Sequence, residues 1–497
     1  MNNFQSLPFY WPELILTGII VLTIIIDFFI DKKDSVKVSW VLIIGLFIVG
    51  LAIYFQDKSR VTSLFMDAIV FDPFASFFKI LVVIATVFIS VVSWENDELS
   101  DYRKGEYFTL LGIIVLGLFL MVSAIDLLMV YLSIEVVSIM SFILAGYLKQ
   151  NTGSNEAALK YVVYGAFSSG IMLFGLSILY GLAGSTNYFD IQQAVQNLDE
   201  SANIALVMAL VMVMAGFGYK ISVVPFHFWT PDVYEGAPTT ITAYLSVAPK
   251  AGAFAMMVRF FNQVLADGGA MTGVEGISTT QIPWPELLSL LAIITMTLGN
   301  LIAIQQENLK RMLAYSSIAH AGYMMLALPV MSSQGVYALM MYLVMYLFMN
   351  LGAFSVVIAV KNKTGGETFN DYRGLGWEMP LIGIVMTIFM VSLTGLPPTA
   401  GFIGKFYIFA ALVKAGPQFY YLVILAGINS VISLYYYLRV VKVMFLEGDR
   451  SELIIQPPLV MIGVLLLAAI PTILFGVYWS PIANWIDYSM TFFIQTI

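Results

Sequence analysis

Cysteine is absent from the 497 residues, which excludes disulfides, thiolate metal sites, iron–sulfur clusters and cysteine nucleophiles from this chain. Histidine is nearly absent. The two present, His227 and His320, stand too far apart in sequence to suggest a haem or metal site. Charge is scarce at 11%, against roughly 25% in a soluble domain. The net charge of -8 leaves no basic patch for nucleic acid. There is no GxGxxG before a strand, GxxxxGK[ST], HExxH or CxxCH, so the residues point to no cofactor or metal bound by this chain.

What is there is apolar: 60% of the residues are hydrophobic, more than one water-soluble core of this size can hide. At about 20 residues per span, there is room for roughly fourteen transmembrane helices. Barrel strands would need turn signals about every ten residues, so helix is the expected element. Candidate spans cover 11–30, 38–55, 73–93, 106–123, 126–147, 154–180, 203–230, 239–265, 285–306, 309–331, 335–361, 379–414, 419–445 and 456–479. The first lacks a basic n-region and is too long for a cleaved signal, so it is read as retained. No loop could hold a folded soluble domain. The expected fold is an all-α polytopic membrane protein, a single membrane domain over 1–497.

Loop charge sets the expected orientation. One alternating set of loops holds Lys32, Lys33, Lys37, Arg103, Lys104, Lys149, Lys310, Arg311, Lys361, Lys363, Arg373, Arg439, Lys442 and Arg450. The opposite set holds Lys58, Arg60 and Lys414. The first set is therefore expected in the cytoplasm, with both termini on the outer side of a cell inner membrane.

The remaining charges lie in or near spans. An ionisable side chain at the bilayer centre costs about 2.5–3.5 kcal/mol. Three central lysines then cost on the order of 10 kcal/mol, comparable with a domain's whole stability. Lys220 lies mid-span in VMVMAGFGYKISVVPFHFWTPDVYEGAPTT, and Pro225 breaks the helix after it. On a continuous helix His227, seven residues on, would share its face. Lys250 follows Pro249 among small residues that admit close neighbours. Lys405 follows Pro397 and Pro398 in VSLTGLPPTAGFIGKFYIFAALVK. Two proline-interrupted spans at corresponding places in two halves point to an internally repeated transporter fold. Glu135 is the acid well inside a span; beside a lysine it can share or pass a proton. For each of these, a paired side chain without a transport role is the structural alternative.

Lesser candidates complete the set. Asp126 reads as a helix-start residue. Lys160, four residues after Glu156, reads equally as a helix-end salt bridge or a channel residue. Lys79 and Arg259 read as snorkelling side chains, and His320 as a polar residue between helices. Lysines held away from water exchange protons near neutral pH. The residues together suggest a proton or cation translocator with no redox centre of its own.

KISVVPFHFWTPDVYEGAPTT (220–240), ENLKRMLAYSSIAHAGYM (307–324) and SLTGLPPTAGFIGKFYIF (392–409) resemble the signature blocks of the antiporter-like membrane subunits of respiratory complex I, NADH-quinone oxidoreductase. The WTPDVYEGAPT and GLPPTAGFIGKF forms resemble the N branch of that family, and the likeness covers nearly the whole chain. It implies three N-terminal helices (1–105), two inverted five-helix repeats (106–265 and 285–445) and a C-terminal helix (446–497), with spans seven and twelve broken. By motif position it implies that Glu135, Lys220, Lys250 and Lys405 form a mid-membrane proton relay driven by a changing Glu135–Lys220 interaction. Lys160 matches a lysine that tunes the pair, and His227 is an accessory candidate. It further implies that FMN, iron–sulfur clusters and the quinone site lie on partner subunits. The expected partners are other complex I subunits, above all neighbouring antiporter-like ones, and the lipid bilayer. The alternatives are a subunit of a multisubunit sodium/proton antiporter or membrane-bound hydrogenase, and a structural scaffold.

Overall fold

A backbone immersed in hydrocarbon must satisfy its own N–H and C=O groups, which for long apolar runs means helix. The computed structural model follows that rule; it describes residues 3–56, 60–265, 284–330, 332–448 and 456–490. Lys58 and Arg450, both used to orient the chain, lie outside the described residues. The helices are α1 (Trp11–Phe29), α2 (Val38–Phe55), α3 (Pro73–Val92), α4 (Lys104–Ser123), α5 (Leu127–Ala145), α6 (Thr152–Ala183), α7 (Asn203–Ile221), α8 (Trp229–Gly236) and α9 (Thr239–Phe260). They continue as α10 (Trp284–Ile304), α11 (Leu309–Met325), α12 (Ser333–Thr364), α13 (Pro380–Thr394), α14 (Ala400–Ala415), α15 (Tyr420–Leu446), α16 (Leu459–Val477) and α17 (Ser480–Met490).

Twelve helices are long and apolar enough to cross a membrane alone, or thirteen if the pair Phe369–Glu378 and Pro380–Thr394, bent by 118°, is one span. The expected fourteen also counts α11, which has 17 residues, and joins α13 and α14, of 15 and 16 residues. One small sheet was not anticipated: Thr62–Leu64 pairs antiparallel with Ile69–Phe71, closed by a turn with positive φ at Phe65, Met66 and Asp67.

Three proline sites behave differently. After α7, Ser222 turns left-handed at φ 65° and the chain runs non-helically to Phe228, with a cis bond before Pro225. After α13, Gly395 takes φ 88° and the helix resumes at Ala400, beyond cis Pro398. Pro249, by contrast, leaves α9 helical throughout.

The core is centred on α9 and α12. All of α9 is buried, as is most of α12, while α1, α2, α6, α15 and α16 each turn an apolar face outward. Close approach relies on small residues: a Cβ on Gly322 of α11 would sit 2.6 Å from Met296 N of α10, and one on Gly299 would sit 2.7 Å from Ala319 N. Those contacts draw α10 and α11 together without side chains between them.

Two expectations are corrected here. Lys79 and Arg259 do not snorkel. Lys79 Nζ is buried against Glu13 at 2.6 Å, and Arg259 holds Asp72 through two nitrogens at 2.8 and 3.1 Å, both side chains almost fully buried. A buried partner removes the reason to reach for water. Asp126 does start its helix, accepting from the amides of Leu128 and Met129.

Candidate functional site

Lys220 occupies the last turn of α7 and is 2% exposed. Its ammonium donates to Ser138 Oγ at 2.9 Å. Ser138 and Glu135 are three apart on α5 and share one face. Glu135 acts electrostatically on Lys220, yet no ion pair joins them among the described residues, and Glu135 Oε1 is buried without a hydrogen-bond partner. One oxygen of the half-buried carboxylate is thus left unsatisfied, a condition that costs about 1–3 kcal/mol.

The break after α7 is anchored from both sides. Trp229 Nε1 donates to Tyr219 O at 3.0 Å and stacks on Tyr161 with centroids 4.3 Å apart. Val224 N donates to Thr295 Oγ1 of α10. His227 lies inside the break, 6% exposed, with Nδ1 unpartnered. Because the helix ends at Ile221, the shared face expected for His227 and Lys220 does not form, and no hydrogen bond connects them.

Lys250, 1% exposed, reaches across to α11 and donates to Ser317 O at 2.9 Å and Ser317 Oγ at 2.6 Å. It therefore does not bond the carbonyls freed by Pro249, as a kink-bound lysine would. His320 stands three residues further on the same face of α11. One ring nitrogen, Nδ1, meets Tyr342 OH of α12 at 2.7 Å, and Nε2 meets Tyr437 OH of α15 at 3.0 Å. Both Lys250 and Lys405 act electrostatically on His320.

Lys405 lies beyond the second break. Its ammonium donates to Thr394 O at 2.8 Å and Ser430 Oγ at 3.1 Å and sits 4.5 Å from the ring centre of Tyr323. Gly395 makes room for it: a Cβ there would be 2.8 Å from Lys405 Cδ. Tyr323 completes the face of α11 and also accepts from Asn300 Nδ2 at 3.3 Å. Ser317, His320 and Tyr323, spaced by three, thus line one face of α11 between Lys250 and Lys405. The signal was present in SSIAHAGY, but helical spacing alone could not show that lysines would arrive at both ends.

Lys160 takes a different place. It pairs with Glu156 at 2.7 Å and Asp232 at 2.6 Å, and Asp232 also pairs with Arg311 at 2.7 Å. A second ionic cluster joins Glu98, Lys361, Lys310 and Glu367: Lys361 bonds both acids, and Lys310 meets Glu367 at 3.4 Å and Ala237 O at 2.7 Å. Glu98 also accepts from Thr239 N at the start of α9 at 2.8 Å. Burial alone would raise the Glu98 carboxyl, but Lys310 and Lys361 beside it outweigh that and hold it at about 2.

The family model described as NADH:quinone oxidoreductase/Mrp antiporter, TM, matches residues 124–433. The chain is 45% identical over 477 residues to NADH-quinone oxidoreductase subunit N 2 of Chloroherpeton thalassium, covering 95% of this chain and 92% of that one. Among solved structures it resembles a chain of respiratory complex I from Thermus thermophilus with bound Aureothin, with a TM-score of 0.77 and 28% identity over 95% of this chain and 98% of that chain. It shares the fold alone with a chain of the Mrp complex from Dietzia, with a TM-score of 0.81 and 21% identity over 97% of this chain and 51% of that chain.

Proposed function

We propose, because this chain belongs to the NADH:quinone oxidoreductase/Mrp antiporter membrane family and within it to the subunit N forms of NADH-quinone oxidoreductase, that it carries protons along a mid-membrane relay. It is a multi-pass membrane protein, and the reading places it in the bacterial inner membrane with both termini on the outer side. Its partners are the other subunits of respiratory complex I. FMN, iron–sulfur clusters and the quinone site belong to those partners, so this chain's contribution is to move protons while they move electrons.

The observation that carries the reading is the α11 face. Ser317 holds the Lys250 ammonium, and His320 stands between two tyrosine hydroxyls. A neutral imidazole accepts a proton at one nitrogen and releases one from the other, which suits it to a hydroxyl-flanked position. Lys405, over Tyr323, is the terminal acceptor. At the other end, engagement of Glu135 with Lys220 stabilises the ammonium, and its release favours passing the proton on toward Lys250. Lys160 holds the broken span through Asp232 and acts on the pair by position. His227 stays an accessory candidate in the break.

The test is proton uptake into vesicles during NADH oxidation, with Glu135→Gln and Lys220→Ala. Lower uptake in assembled complexes supports the relay. Normal uptake in both would remove these residues from it. Near-full-length likeness to subunit N forms supports this reading over a free-standing sodium/proton antiporter.

A further inference from the structure

The end of α15 carries two grooves that no proton path uses. A groove of about 560 Å³ on one flank is walled by Val431, Tyr435 and Leu438 and topped by Arg373, Arg439 and Lys442, with Glu307 and Glu447 among them. A second, of about 650 Å³, is almost wholly apolar and runs along the other flank between Ile384 and Ile388 of α13 and Val441 and Leu446 of α15. Leu438 and Lys442 line both, so the two meet at one charged side chain.

The head of this fork has spare positive charge. Arg439 is committed to Glu307 at 2.8 Å, to the carbonyls of Ile304 and Gln306, and to the ring of Phe369. Arg373 and Lys442 are 57% and 62% exposed and share a single carboxylate, Glu447, at 3.6 and 2.9 Å. Among the described residues, three cations against two acids leave one positive charge, the complement of one phosphodiester. The walls below are strongly exposed, Val431 at 70% and Tyr435 at 63%. Trp377 marks the same level, with its indole N–H on Phe445 O at 2.8 Å, as expected where headgroups begin.

We propose that this is a binding site for one anionic phospholipid, its phosphate on Arg373 and Lys442 and its two acyl chains straddling α15. The forked shape decides the occupant. A helix about 10–12 Å across is too wide to enter both grooves on the two flanks of α15, whereas a glycerophospholipid divides into two thin chains below its headgroup. Basic pockets between membrane helices are suited to such headgroups.

The absence of cysteine allows a clean test. Leu438→Cys, labelled with a bimane in the full-length chain, is reconstituted over a range of mole fractions of brominated phosphatidylglycerol or, separately, brominated phosphatidylcholine. Quenching by the anionic lipid at a lower mole fraction, by about fivefold, is expected, with the difference abolished by Arg373→Gln together with Lys442→Gln. Equal quenching by the two lipids would mean ordinary bilayer contact and overturn the site. So would an anionic preference that survives the double substitution, or no quenching by either lipid. If the label at 438 perturbs folding, Val431→Cys reads the same groove.

Discussion

Lys250 is held twice by Ser317, through its carbonyl and its hydroxyl, and Ser317 lies one helical step before His320. The pairing ties a lysine of α9 to the helix that leads to Lys405. His320 thus stands on the face of α11 between the two lysines, with a tyrosine hydroxyl at each ring nitrogen.

His320→Gln preserves volume and hydrogen bonding but cannot carry the charge. Losing a proton-transfer group of this kind slows transfer by about 10²-fold or more. The expected result is a lower number of protons taken up per NADH oxidised in vesicles. A stoichiometry equal to that of the unaltered chain removes His320 from the path.

Gly395→Ala combines a left-handed φ of 88° with a Cβ 2.8 Å from Lys405 Cδ. Backbone strain of this sort costs about 1–3 kcal/mol. The chain should still insert and assemble, with proton uptake reduced because Lys405 is displaced. Thermal unfolding and uptake measured on the same preparation separate the two effects, and unchanged uptake would refute the displacement.

Arg259→Leu strands Asp72 inside the bundle. Removing one partner of a buried ion pair costs about 3–5 kcal/mol, so the detergent-solubilised chain should melt well below the unaltered one. Adding Asp72→Asn should recover part of the loss, though not all, since Asp72 also caps α3 through Ala75 N. A double variant as unstable as the sum of the singles would contradict a direct pair.

Glu98 sets a pH dependence. Its folded carboxyl titrates at about 2, below the usual 4.5, so its contribution is present above about pH 4.5 and is lost as pH falls from there through 2. Glu98→Gln should lower the melting temperature at pH 7, and the gap to the unaltered chain should close on acidification toward pH 2. A gap that is constant across that range would show that the charge is not what stabilises the cluster.

Much of this was legible in the residues. Pro225 and the Pro397–Pro398 pair mark both helix breaks, because a missing N–H and a ring clash act locally. Pro249 looked alike in sequence, yet α9 stays helical there, since packing on every side outweighs one lost hydrogen bond. Lys79 and Arg259 were misread because their partners, Glu13 and Asp72, lie 66 and 187 residues away. Lys160 was half-legible: Glu156 is one turn back, while Asp232 arrives from 72 residues on. The face expected to carry both His227 and Lys220 does not form for a related reason, as a periodicity of 3.6 means nothing past Ile221, where the helix stops.

Complete burial of α9 bears on how the chain is made. The span carries Lys250, Arg259 and a proline, and none of its surface is left for hydrocarbon. A nascent α9 leaving the insertion machinery alone would meet lipid with its least suitable residues. Asp72 on α3 and the carbonyl of Val122 on α4 receive Arg259, and both helices are synthesised earlier. The ribosome thus delivers the partners of Arg259 before α9, whereas Ser317 of α11, which holds Lys250, arrives only afterwards.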